Sequence, residues 1–455
     1  MINLFEYQNK EPIPGWSAQL EEFLDTVWNS REKSGYYFEQ EDRQVEVQQF
    51  LQFLHKSGEV KSSKYVGVIH FEGHKINLLP KIFYHAEKEY TEQDVNAIQN
   101  HVLWWLSYCR KIKFPNYQTS LGSIKSDFFE VLIYLFAKYT RQLLSNAIYQ
   151  QYEEVNRELS FIKGRVNINE YINENLSRGR WHKLNCTYDA FIFDNKFNRI
   201  IKYVTTLLFN ATTSLENKKY LREILFIFDE VSDIRATPEE SESIQFNPMF
   251  SDFETVRDYC TLFLRSCVSF NYKNDLQLFA FLLPMEYVFE DFLFGFIDKE
   301  LEEVKATAQS SSIHLDQEEN FSLKPDLLLE LASKRVIADA KYKMVYTDEK
   351  DPKKGISQPD LYQMLAYAVR YKVQEVFLFY PESITNEQAQ EGKMTIKDEF
   401  AENVEVEIKA YQLPILNREL FANGQNEERE LAAIFEATRK GLANRLKEIL
   451  GFKKD

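Results

Sequence analysis

The stretch KPDLLLELASKRVIADAKYK, from Lys324 to Lys343, decides how this chain is read. It places Asp326 on one expected strand (321–331) and Asp339 with Lys341 on the next (335–343), joined by a tight Ala-Ser-Lys turn. Side chains two apart on a strand share a face, so Lys341 points with Asp339. Phosphodiester hydrolysis needs a nucleophilic water and stabilised charge on the phosphorus oxygens, and magnesium ions supply both. Mg²⁺ favours a few carboxylates plus waters. Asp326, Asp339 and the Ala340 carbonyl therefore form a candidate Mg²⁺ site. Lys341 is placed to orient the water or to stabilise the transition state.

The spacing is loose in itself: P-D, twelve residues, then D-x-K. Its context sharpens it. Asp326 lies among Leu323, Leu327 and Leu329, and Asp339 follows Val336-Ile337-Ala338. A carboxylate inside an apolar strand is costly unless a cation or partner offsets it. The competing reading is a plain salt bridge from Lys341 to either aspartate. Glu290, on the expected helix PMEYVFEDFLFGFIDKELEEV behind Pro284, offers a third carboxylate or else a solvated face. Gln363 and Tyr367 lie four apart on the helix DLYQMLAYAVRYK and share a face, which either approaches the site or leaves Gln363 merely exposed. Lys343, Lys353, Lys354, Arg370 and Lys372 add local positive charge.

Outward from this core, the C-terminal third reads as an α/β unit with a mixed sheet: helix, two strands, helix, the buried strand VFLFYP, the alternating strand VEVEIKAYQLPI and a helix from about Glu427 to Leu450. YVGVIHFEGHKINLLPKIF alternates around Glu72-Gly73 as a hairpin closed by Pro80. A helical pattern follows over 94–108. Residues 126–152 and 194–215 read as long helices, the second capped by Asp194 or Asn195, with a polar segment between them. The domains expected are 1–120, β-rich; 121–270, a helical connection; and 271–455, the α/β catalytic domain.

The 455 residues carry a net charge of −15. A protein gripping DNA alone is usually basic, so DNA contact here must be local or shared with a partner. No apolar run is long enough for a membrane span, and MINLFEYQNKEPIPGW lacks the pattern of a signal peptide. Cys109, Cys186, Cys260 and Cys267 match no zinc or redox spacing and read as buried thiols of a reducing cytoplasm. His70 and His74 read as surface or packing residues. There is no GxxxxGK[ST], G-x-S-x-G or H-E-x-x-H pattern, which removes P-loop nucleotide binding and the corresponding hydrolase and zinc-protease chemistry.

The P-D…D-A-K core with its following Q-x-x-x-Y helix resembles the PD-(D/E)xK nuclease superfamily. With LLPKIF, FIKGRVNI (Phe161–Ile168) and the stretch Cys186–Lys202, the chain resembles more specifically the McrC subunits of McrBC-type restriction systems. The resemblance implies a Mg²⁺-dependent DNA endonuclease, with Asp326 and Asp339 as metal ligands and Lys341 as the catalytic lysine; Glu290 and Gln363 are further candidates. It also implies a partner, a McrB-like AAA+ GTPase hexamer. The N-terminal region would dock in that ring's pore and stimulate hydrolysis, while the partner recognises modified double-stranded DNA. One active site per chain implies pairing of two copies for double-strand cleavage. Arg165, Arg178 and Arg180 are the basic residues considered for action on the GTPase, against a solvated loop. The alternatives are a regulatory subunit of an AAA+ NTPase without catalysis, or a nuclease of the same superfamily acting on another nucleic acid.

Overall fold

The computed structural model describes residues 2–15, 20–21, 51–71, 74–110, 128–271, 277–308, 313–316, 318–331, 334–344, 356–385, 391–398, 404–422 and 431–452. Two compact units emerge: residues 1–131 together with 265–455, and residues 132–264. The boundary expected at 270/271 falls at the end of a strand that belongs to the first unit.

The N-terminal part of the first unit contributes β1 (Ile2–Phe5), β2 (Lys10–Pro12), β3 (Leu51–Leu54), β4 (Glu59–Ser62), β5 (Tyr65–Phe71) and β6 (His74–Leu79). β5 and β6 form the expected antiparallel hairpin, with Phe71 opposite His74; its turn, 72–73, lies outside the described residues. Pro80 ends β6. The helix Glu92–Leu106 begins at Thr91, which shares a reciprocal capping box with Asp94, a motif that satisfies two otherwise orphaned N–H groups.

The second unit carries β7 (Gln151–Leu159), β8 (Arg165–Val166) and β9 (Leu184–Ile192) in the order β7-β9-β8. The helix expected to reach 152 ends at Asn146, and the chain from Gln151 onward is strand. β7 pairs with β9 from Gln151↔Ile192 to Leu159↔Leu184. Those long-range bonds override the helical spacing of the apolar residues, a signal that local periodicity does not contain. At Gly164, with φ +71°, a Cβ would sit 2.4 Å from the Thr187 carbonyl oxygen, so glycine is needed for the chain to approach β9. The second long helix is Lys196–Ala211, shorter than expected, with Asn195 as its cap. Asp194 instead pairs with Arg199 at 2.7 Å and accepts both the N–H and the hydroxyl of Ser232. Phe161, Ile162, Ile168, Tyr152, Trp181 and Phe191 are all exposed on this small sheet and its connections.

The chain returns to the first unit through β10 (Cys267–Asn271) and β11 (Gln277–Pro284). β11 pairs with β5 and completes the sheet β1-β6-β5-β11-β10. Pro284 ends β11 and caps the helix Met285–Glu300. Then come β12 (Lys305–Ala308), β13 (Ile313–His314), β14 (Ser322–Leu323), β15 (Leu327–Glu330), β16 (Arg335–Ala340), the helix Gln358–Tyr371, β17 (Glu375–Pro381), β18 (Glu391–Asp398) and β19 (Val404–Leu413). The sheet order β12-β15-β16-β17-β19-β18 is mixed: β16, β17 and β19 run parallel, while the β12–β15, β15–β16 and β18–β19 pairs are antiparallel. The last helix is described as Leu431–Ile434 and Glu436–Leu450; its expected start at 427 lies outside the described residues.

Cys109, Cys186 and Cys260 are buried free thiols. No helix among the described residues is long and apolar enough to cross a membrane.

Candidate active site

β15 and β16 set the frame. Their register runs from Glu330↔Arg335 to Leu327↔Ala338, and one step further brings Asp326 opposite Asp339. Directly opposed residues on antiparallel strands share a face, so the two carboxylates converge. The single strand expected over 321–331 is interrupted at 324–326, where Pro325 cannot donate a ladder hydrogen bond. Asp326 therefore sits at a bend just before β15, and its Oδ2 accepts the Ala340 backbone N–H at 2.8 Å. β16 ends at Ala340, with Lys341 just beyond it. Its backbone N–H still donates to the Phe379 carbonyl at 2.8 Å, which continues the alignment with β17.

Lys341 Nζ lies 2.5 Å from Asp339 Oδ2 and donates to Gln363 Oε1 at 3.2 Å. Gln363 in turn donates to the Tyr367 hydroxyl at 2.8 Å, and Tyr367 donates to the Lys324 carbonyl at 3.0 Å. The helix Gln358–Tyr371 thus covers the carboxylate face of the sheet, and Gln363 and Tyr367 share the side turned toward it. Met364 and Tyr367 pack with Ile337, Val376 and Leu378. Beside this chain, Lys343 Nζ reaches both oxygens of the buried Asp360, at 2.9 and 2.8 Å.

The charges are strained in a consistent direction. Burial, then Asp339 and then Glu290, pushes the Asp326 carboxyl well above the usual range. Burial works to lower the Lys341 ammonium, but Asp339, Asp326 and Asp360 outweigh it and raise the pKa. Lys341 is therefore a firm cation held among carboxylates. Glu290 is buried on the helix Met285–Glu300 and acts on Asp326 through its charge.

Asp339 is 1% exposed, and its Oδ1 accepts no hydrogen bond among the described residues. A buried carboxylate oxygen left that way costs about 1–3 kcal/mol, and a bound cation would remove the cost. Mg²⁺ is usually held by one or two carboxylates plus substrate phosphates and water. Asp326 and Asp339, with the Ala340 carbonyl, fit that requirement. Among the described residues no three His, Cys, Asp or Glu side chains gather into a metal-binding group.

Of the remaining residues singled out in the sequence, Lys353 and Lys354 lie outside the described residues. Arg370 donates to the His314 carbonyl, and Lys372 is the left-handed cap of its helix. Arg165, Arg178 and Arg180 are exposed in the second unit; Arg165 faces Glu154, and Arg180 faces Glu158. Asp360 and Tyr380 escape notice in the sequence. Asp360 reads as a helix-start acid, and Tyr380 reads as one more apolar residue of VFLFYP.

A family model described as McrBC 5-methylcytosine restriction system component matches residues 60–381. No curated protein gives a significant match. Among solved structures, a chain of the refined half-complex from the tetradecameric assembly of Thermococcus gammatolerans McrB AAA+ hexamers with bound McrC is 19% identical. Its TM-score is 0.60, and 98% of this chain and 99% of that chain are covered. The cryo-EM structure of the Thermococcus gammatolerans McrBC complex is 20% identical over 66% of this chain and 88% of that chain, with a TM-score of 0.46. At such identities the first likeness speaks for the fold, and the second carries no argument.

Proposed function

The chain belongs to the family of McrBC 5-methylcytosine restriction system components, and from that premise we propose that it is the McrC-like nuclease subunit, cutting DNA phosphodiesters with Mg²⁺. The observation that carries this reading is the buried Asp339. It is paired on one side with Lys341 and keeps its other oxygen without a hydrogen bond among the described residues. Asp326, Asp339 and the Ala340 carbonyl would hold the cation, which when bound supplies Lewis-acid stabilisation and a more acidic water.

The protein's own groups do the rest. Lys341, kept charged by its carboxylates, stabilises negative charge developing on the phosphate oxygens. Gln363 fixes the ammonium's direction, and Tyr367 fixes Gln363. Glu290 adds negative charge behind Asp326 and strengthens the demand for a cation there. The domain reading of the C-terminal third as a PD-(D/E)xK nuclease belongs to the same proposal and is supported by its mixed sheet with helices.

A net charge of −15 is unsuited to gripping DNA alone. We therefore assign modified double-stranded DNA to a McrB-like AAA+ GTPase partner, whose hydrolysis this chain would stimulate in the cytoplasm; two copies would meet for double-strand cleavage. The resemblance implies docking through the N-terminal region. The second unit exposes Trp181 at 71% and Ile162 at 68%, and we take it as a docking surface to be tested, since apolar side chains that gather into one exposed patch mark interaction sites.

The test is plasmid cleavage with Mg²⁺, on modified and unmodified DNA, with and without the AAA+ partner and GTP, comparing wild type with Asp339→Ala. Cleavage by wild type alone of the two proteins, dependent on partner and GTP, is the expected result. Equal cleavage by Asp339→Ala would overturn the site. Stimulated GTP hydrolysis with no cleavage would favour the purely regulatory reading.

A further inference from the structure

One buried hydroxyl beside the carboxylates has no part in the reaction as described. β16 and β17 are parallel, with Asp339 opposite Leu378 and Ala340 opposite Phe379. One step on, Lys341 is opposite Tyr380. Paired residues of neighbouring strands share a face, so Tyr380 points to the side that holds Asp339 and Lys341. Its packing agrees: Tyr380 belongs to the same cluster as Ile337, Met364, Tyr367 and Leu378. Burial first, then the charges of Asp360 and Asp339, raise the phenol's pKa. It therefore stays a neutral hydrogen-bond donor within reach of both carboxylates' fields.

Tyr380 is 2% exposed, and its hydroxyl has no hydrogen-bond partner among the described residues. The same is true of Asp339 Oδ1 on the same face. A phenylalanine would fill the volume of Tyr380 without burying an unsatisfied hydroxyl. A donor and an acceptor, both buried and both without a partner among the described residues, are each costly, and one water held between them would satisfy both.

Building on the nuclease reading of this site, we propose that Tyr380 is a positioning residue, whose hydroxyl holds Asp339 Oδ1 in line for the cation through a bridging water. Groups that orient a metal ligand typically change metal affinity or activity by about 10–100-fold when removed. Tyr380 acts through Asp339 and does not touch the reacting atoms.

The experiment compares wild type, Tyr380→Phe and Asp339→Ala, using the full chain. Calorimetry with Mg²⁺ alone gives metal affinity, thermal melting without metal gives stability, and the partner-dependent assay gives cleavage. The expected result for Tyr380→Phe is a Mg²⁺ affinity weakened about tenfold or more, with a melting temperature unchanged or raised. A merely structural tyrosine would move the melting temperature and leave the affinity alone. Wild-type Mg²⁺ affinity in Tyr380→Phe overturns the proposal, as does a wild-type protein that binds no Mg²⁺. The two readings fail separately. Weakened Mg²⁺ binding with no DNA cut by any protein supports the role of Tyr380 while sinking the nuclease. Cleavage that Asp339→Ala abolishes and Tyr380→Phe leaves untouched, with equal Mg²⁺ affinity, does the reverse.

Discussion

The Glu6 carboxyl accepts the backbone N–H of Lys81 at 3.2 Å from within the core of the first unit. The Lys81 ammonium lies 4.4 Å from the ring centre of Tyr342, the residue after Lys341. Burial pushes the Glu6 carboxyl up to about 8 from its ordinary 4.5; Lys81 and Tyr342 oppose the shift, and Glu286 adds to it. A carboxyl raised on folding is protonated in the native state over a range where the unfolded chain has released its proton. Its contribution is fully present below about pH 4.5, declines as pH rises toward 8 and is flat above. The loss across that window is on the order of a few kcal/mol. Melting temperature against pH should therefore fall more steeply for wild type than for Glu6→Gln, with the variant the more stable at pH 8. Superimposable curves would refute the buried-acid assignment.

Lys341 is the only described cation within ion-pair distance of Asp339. Removing one member of a buried pair costs about 3–5 kcal/mol, because the other charge is left uncompensated. Lys341→Ala should melt well below wild type without metal and recover most of the difference in excess Mg²⁺, since the cation takes over the compensation. Cleavage should remain about 100- to 1,000-fold down even so, because stabilisation of the transition state is gone. Loss of Mg²⁺ binding in a folded Lys341→Ala protein would place the lysine in metal binding instead of in chemistry.

The convergence of the two aspartates and the lysine is legible in the sequence because alternation along a strand is a local property. Leu327, Leu329, Val336 and Ala338 alternate or run apolar as a buried sheet requires, and the D-x-K spacing follows from the pleat. The hairpin at 65–79 is legible for the same reason. What long-range pairing decides is not. β7 has apolar residues at helical spacing, and only its pairing with β9 makes it a strand. β11 lies far from β5 along the chain yet pairs with it over seven residues. Tyr380 gains its meaning from the parallel alignment of β16 with β17, which no local pattern encodes. Pro325 is the exception: its missing N–H announces the break before Asp326 in the sequence itself.

Two glycines test the packing with opposite signs. A Cβ on Gly295, in the helix Met285–Glu300, would sit 1.8 Å from the Tyr108 carbonyl oxygen. Gly295→Ala must push backbone away from backbone, at a cost of about 1–3 kcal/mol or more. Gly441, in the helix Glu436–Leu450, has nothing within 4 Å of the same position. Gly441→Ala should stabilise by about 0.5–1 kcal/mol through helix propensity and a less entropic unfolded chain. Urea unfolding of both variants reads the two signs directly. A neutral Gly295→Ala would mean that the helix and Tyr108 are not in close contact in solution.

The docking surface assigned to the second unit has its own test, independent of the nuclease site. Phe161, Ile162 and Trp181 are 62%, 68% and 71% exposed, so none contributes much to the unit's core. Replacing them singly by alanine should leave stability within about 0.5 kcal/mol, as for surface positions generally. An aromatic anchor buried at an interface commonly loses about 2 kcal/mol or more on truncation, roughly a thirtyfold change in affinity. Trp181→Ala should therefore weaken binding to the AAA+ partner by at least about tenfold while Mg²⁺ affinity stays at the wild-type value. Arg165 and Arg180 already face Glu154 and Glu158 at 3.9 Å, and such exposed pairs are worth little. Their replacement should change the salt dependence of association more than its strength. Partner binding that survives the loss of all three apolar side chains would return the docking surface to the N-terminal region.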